Sequence, residues 1–324
     1  KIPLPGTPTV ATYNGGTKRA YFGCVTPTNT TAGVAVVDDL TNTVVATIMP
    51  SQPFTALASN ALTKKVYGVQ GAQLDVIDGA TNAIATTVQT PDQSPISGLA
   101  VDEPNNLVYV LTKTATMANL YVVDGATNTF GASHQILLNP IGMPPIAVDG
   151  KTQSVFVLGA DSNMFGEEVT VDGMTGAPKM LTTTNSMVSP SGSGIFSLGD
   201  GTAALVFVSP GLVKLLGHAD VLLPTTFTPT GVTVMDAGER RDVILVGLGS
   251  DGVPVGYRIA GSDETLSTFS LALGGDVFAK TIPGQVLTAA PLPNGTELYL
   301  DLAPDPKTGS PPGPAETIKI ELTH

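Results

Sequence analysis

One cysteine, three histidines and no tryptophan occur in 324 residues. A single thiol, Cys24, forms no intrachain disulfide and no thiolate metal cluster. It reads as a small buried hydrophobe. His134, His218 and His324 are too few and too scattered for zinc or haem ligation. Charged residues are also scarce at 13%, and aromatic residues at 5%. With 42% hydrophobic residues, that scarcity argues against disorder and for a large core. The little charge present is acidic, with a net of −12, which makes a phosphate backbone a poor partner. Basic residues gather only in the pairs Lys18-Arg19, Lys64-Lys65 and Arg240-Arg241. No nucleic-acid partner is expected. No apolar run reaches the roughly 18 residues of a membrane-spanning helix.

What the chain does have is turn formers and strand formers. Glycine and proline number 36 and 26. One turn recurs at intervals of about 40 to 48 residues. Its copies are Asp38-Asp39-Leu40-Thr41-Asn42, Asp78-Gly79-Ala80-Thr81-Asn82, Asp124-Gly125-Ala126-Thr127-Asn128 and Asp172-Gly173-Met174-Thr175-Gly176. Each follows an alternating apolar run and precedes another, as a β-hairpin does. The Asp is expected to accept turn N–H groups, and Gly or Asn to supply positive φ.

A second anchor runs further. Tyr21, Tyr67, Tyr109, Phe156, Phe207, Val243 and Tyr299 each sit in an apolar run. Seven residues before the first six stand Asn14, Asn60, Asp102, Asp149, Asp200 and Asp236; before Tyr299 the turn is Asn294-Gly295. The mean spacing of about 46 residues is that of a four-stranded propeller blade. The expected fold is all-β: a single domain over residues 1–324, a seven-bladed β-propeller of antiparallel four-stranded blades. Approximate blades are 7–49, 53–90, 95–138, 143–184, 192–228, 230–273 and 284–324 plus 1–5.

The segments Asn106-Leu107-Val108-Tyr109-Val110-Leu111-Thr112 and Val76-Ile77-Asp78-Gly79-Ala80-Thr81-Asn82-Ala83-Ile84 resemble the YVTN-repeat family of seven-bladed β-propellers. The likeness is specific over roughly the first half of the chain, and spacing and strand character carry the rest. It implies an exported or surface-layer-type protein of the lactonase-like propeller superfamily. It carries no catalytic motif, because the repeat is structural. The last blade supplies three strands, and Lys1-Ile2-Pro3-Leu4-Pro5 is the expected fourth. Its two prolines suit an outer edge, and pairing the chain ends would close the ring.

If the inner strand A of each blade runs from top to bottom, A–B and C–D turns lie on the bottom. B–C and D–A connections then lie on the top. The repeated Asp residues are therefore expected to be bottom turn caps. Long B–C connections are expected at 26–33, 113–119, 159–167, 249–254 and 303–314. The top segments collect Met49, Phe54, Met117, Met143, Met164, Phe165, Met187, Phe227 and Phe278. These read either as plugs of the blade ends or as an adaptable apolar surface for a protein, peptide or small apolar ligand. Top-side polar candidates are Asp92, Asp161, Glu167, Asp276, Lys280 and Gln285, with Asp276 and Lys280 sharing one connector.

No Gly-x-Ser-x-Gly elbow and no phosphate-binding loop occurs. His218 and Asp220 would share a strand face, yet no nucleophile stands near them in sequence. No cofactor is identified; Gly249-Ser250-Asp251-Gly252 offers at most weak calcium chemistry. The expected function is a non-enzymatic binding scaffold of the cell exterior or periplasm, using the top-face loops. The chain starts at Lys1, as a processed or truncated chain would. One alternative is a lactonase- or lyase-type propeller enzyme with an axial site around Asp276, needing convergent carboxylates and a divalent cation. Another is a module of a surface-layer or cell-envelope protein.

Overall fold

The computed structural model describes residues 2–114, 118–136, 139–140, 145–160, 165–173, 178–187, 193–199, 201–207, 212–215, 220–222, 228–236, 241–248, 254–259, 266–269, 272–273, 286–291, 297–302 and 316–321. All described regular structure is β, and every strand pair is antiparallel.

The strands fall into sheets in chain order. After β1 (Ile2–Pro3), the first sheet is β2 (Thr7–Asn14), β3 (Arg19–Val25), β4 (Thr31–Asp38) and β5 (Thr43–Ile48). The second is β6 (Ala56–Asn60), β7 (Lys65–Gln70), β8 (Gln73–Asp78) and β9 (Ala83–Gln89). The third is β10 (Ile96–Asp102), β11 (Leu107–Lys113), β12 (Ala118–Asp124) and β13 (Thr129–Ile136). The fourth joins β14 (Asn139–Pro140) and β15 (Ile146–Asp149) to β16 (Ser154–Ala160), followed by β17 (Phe165–Asp172) and β18 (Pro178–Met187). The fifth is β19 (Ser193–Ser197), β20 (Ala203–Phe207), β21 (Leu212–Leu215) and β22 (Asp220–Leu222). The sixth is β23 (Thr228–Asp236), β24 (Arg241–Leu248), β25 (Pro254–Ile259) and β26 (Leu266–Phe269). The remaining strands are β27 (Ala272–Leu273), β28 (Val286–Pro291), β29 (Glu297–Leu302) and β30 (Glu316–Glu321). In the last sheet β28, β29 and β30 lie side by side, and β1 pairs with β30 through Ile2↔Thr317 and Pro3↔Glu316.

One pairing departs from the sequence reading. Residues 272–273 were assigned to the sixth repeat, but β27 pairs with β30 through Leu273↔Ile320. Two short segments thus share the outer edge of β30. A two-residue pairing leaves little hydrophobic pattern to read in advance.

The core lies between neighbouring sheets. Tyr21, Val34, Val36, Phe54, Val66 and Ile77 pack across the first pair; Tyr67, Val76, Val108, Val110 and Tyr121 pack across the second. The second strands are apolar on both faces because a sheet lies on each side; β3 is buried from Ala20 to Val25. The outer strand β9 alternates exposed and half-buried residues instead. The anchors Tyr21, Tyr67, Tyr109 and Phe156 are all fully buried. The first strands touch in the order β2, β6, β10, β15, β19, β23, β28, and β28 touches β2.

Candidate functional site

The lower ends of the sheets are locked together by repeated hydrogen bonds. Asn14 Oδ1 accepts from Thr17 N, Asn60 Oδ1 from Thr63 N, and Asp102 Oδ1 from Asn105 N. Asp149 Oδ1 accepts one residue earlier in its turn, from Lys151 N. Asn14, Asn60 and Asp149 also reach the next sheet, Asp149 Oδ2 accepting from Gly201 N. Asn14 Nδ2 donates to the Asn60 carbonyl at 3.1 Å, and Asn60 Nδ2 donates to Asn106 Oδ1 at 3.1 Å. Arg19 Nη1 donates to Gly79 O and Asn82 Oδ1 of the second sheet. Lys65 Nζ repeats the contact one sheet on, to Gly125 O and Asn128 Oδ1. Tyr109 Oη donates to Gly173 O at 3.1 Å.

The C–D turn carboxylates act as caps where they are described. Asp38 Oδ1 accepts from Leu40 N and Thr41 N, Asp78 Oδ1 from Ala80 N, and Asp124 Oδ1 from Ala126 N. These N–H bonds, from Thr41 first, hold the Asp38 carboxyl below its ordinary pKa. The expectation about φ needs correction. Asn42, Asn82 and Asn128 take φ of 53°, 53° and 57°, but Gly79 and Gly125 are not in the left-handed region. Their glycine is required by close approach: a Cβ on Gly125 would stand 2.4 Å from Asn106 Oδ1, and one on Gly79 2.5 Å from Lys64 O.

The upper ends are built differently. Three of the expected long B–C loops are shorter than read, with gaps at 26–30, 114–117 and 161–164. The ladders run on through Val25↔Thr31, Lys113↔Ala118 and Ala160↔Gly166. Thr9, Thr55 and Ser97 hydroxyls each donate to a second-strand carbonyl, of Gly23, Val69 and Leu111, at the start of successive sheets.

Above that shared frame, two adjoining D–A connectors diverge. In residues 49–55, Ser51 Oγ and Gln52 N donate to Gln70 Oε1, at 2.8 and 3.0 Å. Gln70 Nε2 in turn donates to Asp75 Oδ2, and Thr87 Oγ1 donates to Asp75 Oδ1. Asp75 is completely buried and has no cation beside it among the described residues. Burial pushes its carboxyl above the ordinary value, against the two hydrogen bonds. In residues 90–96 the carboxylate is instead on the connector. Asp92 Oδ1 accepts from Ser94 N at 3.0 Å, and Asp92 Oδ2 from Thr112 Oγ1 and Asn119 Nδ2 at 3.1 Å each. The Tyr121 phenol faces it as well. Partial burial works against the Asp92 anion, but the hydrogen bonds, from Ser94 N first, outweigh it and leave its pKa low. Asp92 is exposed, as are Pro91, Gln93 and Pro95.

The expected site residues divide as follows. Phe54 is a correction: it is 3% exposed, its ring fills the space above Gly68, and it offers no binding surface. The apolar side chain displayed on that connector is Met49, which is 62% exposed. Phe165 and Met187 are register partners where β17 begins and β18 ends, at the upper end of the fourth sheet. Met117, Met143, Met164, Phe227, Asp276, Phe278 and Lys280 lie outside the described residues, as do Asp161, His218 and Gln285. No group of three or more potential metal ligands occurs among the described residues. Sequence reasoning named Asp92 as a top-side polar residue but not the donors around it. Those come from two strands and a turn, and their meeting has no local signal.

No known protein family matches the chain, and no curated protein matches it. Solved structures do. The β-propeller domain of Myceliophteria thermophila Cps50 (Swd1) is similar over 98% of this chain and 97% of that one, at 12% identity and a TM-score of 0.65. The fold is a β-propeller. A chain of a mitotic checkpoint complex covers 99% of this propeller and 90% of itself, at 12% identity and a TM-score of 0.66. A chain of Kuenenia stuttgartiensis hydrazine synthase covers 92% of each, at 12% identity and a TM-score of 0.58.

Proposed function

We propose that the chain is a seven-bladed propeller closed by its N-terminal strand and working as a non-enzymatic protein-interaction scaffold. The blades take the boundaries read from the repeat except at residues 272–273, which pair in the last sheet, and the β1–β30 pairing supports the closure. The partner is a protein or peptide, and the binding face is the upper one. Export to the periplasm or cell exterior, as the YVTN-like repeats imply, belongs to the same reading.

One observation carries it: the two ends of the blades are used in opposite ways. At the lower end, side chains such as Arg19, Lys65 and Tyr109 are consumed in bonds to the next sheet. At the upper end, a conserved-geometry frame carries connectors whose chemistry changes from one blade to the next and which expose Met49, Pro91 and Asp92. A rigid body that varies only its upper connectors presents contacts at small conformational-entropy cost. A chain of similar fold is found in a mitotic checkpoint complex, which is consistent with this assignment.

The test compares the two faces. Partners cross-linked to the wild-type protein in extracts of its source are quantified against Met49→Asp and against the lower-end variant Leu40→Asp. Both residues are exposed, so neither change disturbs packing. Capture is expected to fall at least about tenfold for Met49→Asp and to persist for Leu40→Asp. The opposite pattern overturns the assignment of the upper face.

A further inference from the structure

Asp92 does more than its place in the fold requires. Two adjoining D–A connectors are tied down onto the end of the second strand below them. The connector at 49–55 achieves this with neutral groups alone, Ser51 and Gln52 N donating to Gln70. The connector at 90–96 does the same job through a carboxylate, which Thr112 and Asn119 hold from two strands. Gln70 and Thr112 are equivalent in the two sheets, since each follows its anchor tyrosine by three residues. A neutral acceptor would have served at Asp92, so the charge is surplus to the tie.

That charge is also held ready. Ser94 N, Thr112 Oγ1 and Asn119 Nδ2 fix the carboxylate from several directions. Thr112 is fully buried and Tyr121 nearly so, its ring packed edge-on to Phe130 at 5.6 Å. Fixed donors leave the anion little freedom to lose on binding. The one cationic side chain described nearby, Lys113, is directed to the Pro140 carbonyl. No cation pairs with Asp92 among the described residues. Two exposed prolines, Pro91 and Pro95, flank it with rigid apolar surface.

We propose that Asp92, framed by Pro91 and Pro95 on the connector between the second and third blades, receives a basic side chain of the protein partner. The proposal rests on the scaffold reading and deepens it. The net charge of −12 favours such a partner at long range, and Asp92 fixes where its cation docks.

The probe is a short fluorescent peptide with one lysine between prolines, followed by polarisation at low salt. Its twin carries acetyl-lysine, which removes the charge and little else. Asp92→Asn keeps an oxygen for Ser94 N and an amide that can donate to Thr112 Oγ1, but not the charge. Asp38→Asn, at the lower end, makes the same change of net charge and keeps its turn cap. The lysyl peptide is expected to bind the wild type and Asp38→Asn equally, and Asp92→Asn roughly fivefold more weakly. The acetylated peptide is expected to bind all three as weakly as Asp92→Asn binds the lysyl one. No binding of the lysyl peptide to the wild type, or equal losses in the two variants, overturns the proposal. The scaffold reading stands or falls separately: if Met49→Asp still abolishes partner capture, only the assignment to Asp92 fails.

Discussion

Tyr67 and Tyr109 occupy the same position in successive repeats and are both fully buried, yet their hydroxyls differ. Tyr109 Oη donates to Gly173 O, whereas Tyr67 Oη has no hydrogen-bond partner among the described residues. Lys65 already occupies Gly125 O, the carbonyl equivalent to Gly173 O. Burial pushes both phenols up to about 12, with nearby carboxylates adding to it. Tyr109→Phe strands a buried carbonyl and is expected to cost about 1 kcal/mol, whereas Tyr67→Phe removes an unsatisfied group and is expected to be neutral or slightly stabilising. Urea unfolding of the two variants checks this; equal losses would refute it. Asp75 is the second case. Its folded carboxyl is raised by burial, so the stability of its protonated form is present below the unfolded value near 3.8 and lost as pH rises through the folded one. Asp75→Asn keeps both hydrogen bonds, accepting from Gln70 and donating to Thr87. Its melting temperature is expected to exceed the wild type's at pH 7 and to converge with it near pH 3. A gap that widens toward acid pH would contradict this.

At the scale of the element, the C–D hairpins combine three requirements: a capping Asp, a left-handed Asn and, in two of them, a glycine pressed against the A–B turn. Asp78→Ala removes the acceptor of Ala80 N and is expected to cost about 1 kcal/mol. Gly125→Ala is expected to cost more, about 1–3 kcal/mol, because its Cβ would meet Asn106 backbone and side chain together. Denaturant midpoints of the two single variants provide the ranking, and a reversed order would show that Asn106 yields easily. Asp38 adds an acid-side effect. Its carboxyl is lowered by hydrogen bonds, so its share of stability is present above the unfolded value and lost as pH falls.

For the molecule as a whole, the fold depends on sheets pressing on sheets. The β1 segment places Ile2 and Leu4 in a buried cluster with Phe22, Cys24 and Val37 while pairing with β30. It therefore contacts both the first and the last sheet. Removing residues 1–5 is expected to lower the thermal midpoint by several degrees and to make the first repeats the earliest to lose amide protection. Hydrogen exchange followed by mass spectrometry reads this directly. Unchanged protection across residues 19–37 would argue that the ends are not coupled.

The amino-acid sequence by itself determined the repeat, its strands and its caps. Asp38, Asp78, Asn14 and Asp102 act on backbone groups only two or three residues away, so their roles are written in local spacing. Buried second strands such as Arg19–Val25 were legible for a related reason: burial on both faces leaves an unbroken apolar run. Tertiary structure alone decided the rest. Phe54, on a connector, lies in the core because Gly68 on β7 leaves room for its ring. The pairing of Ala272–Leu273 with β30 and the gathering of Thr112, Asn119 and Tyr121 around Asp92 join residues far apart in the chain. Periodicity records which face of a strand is buried; it does not record what that face meets.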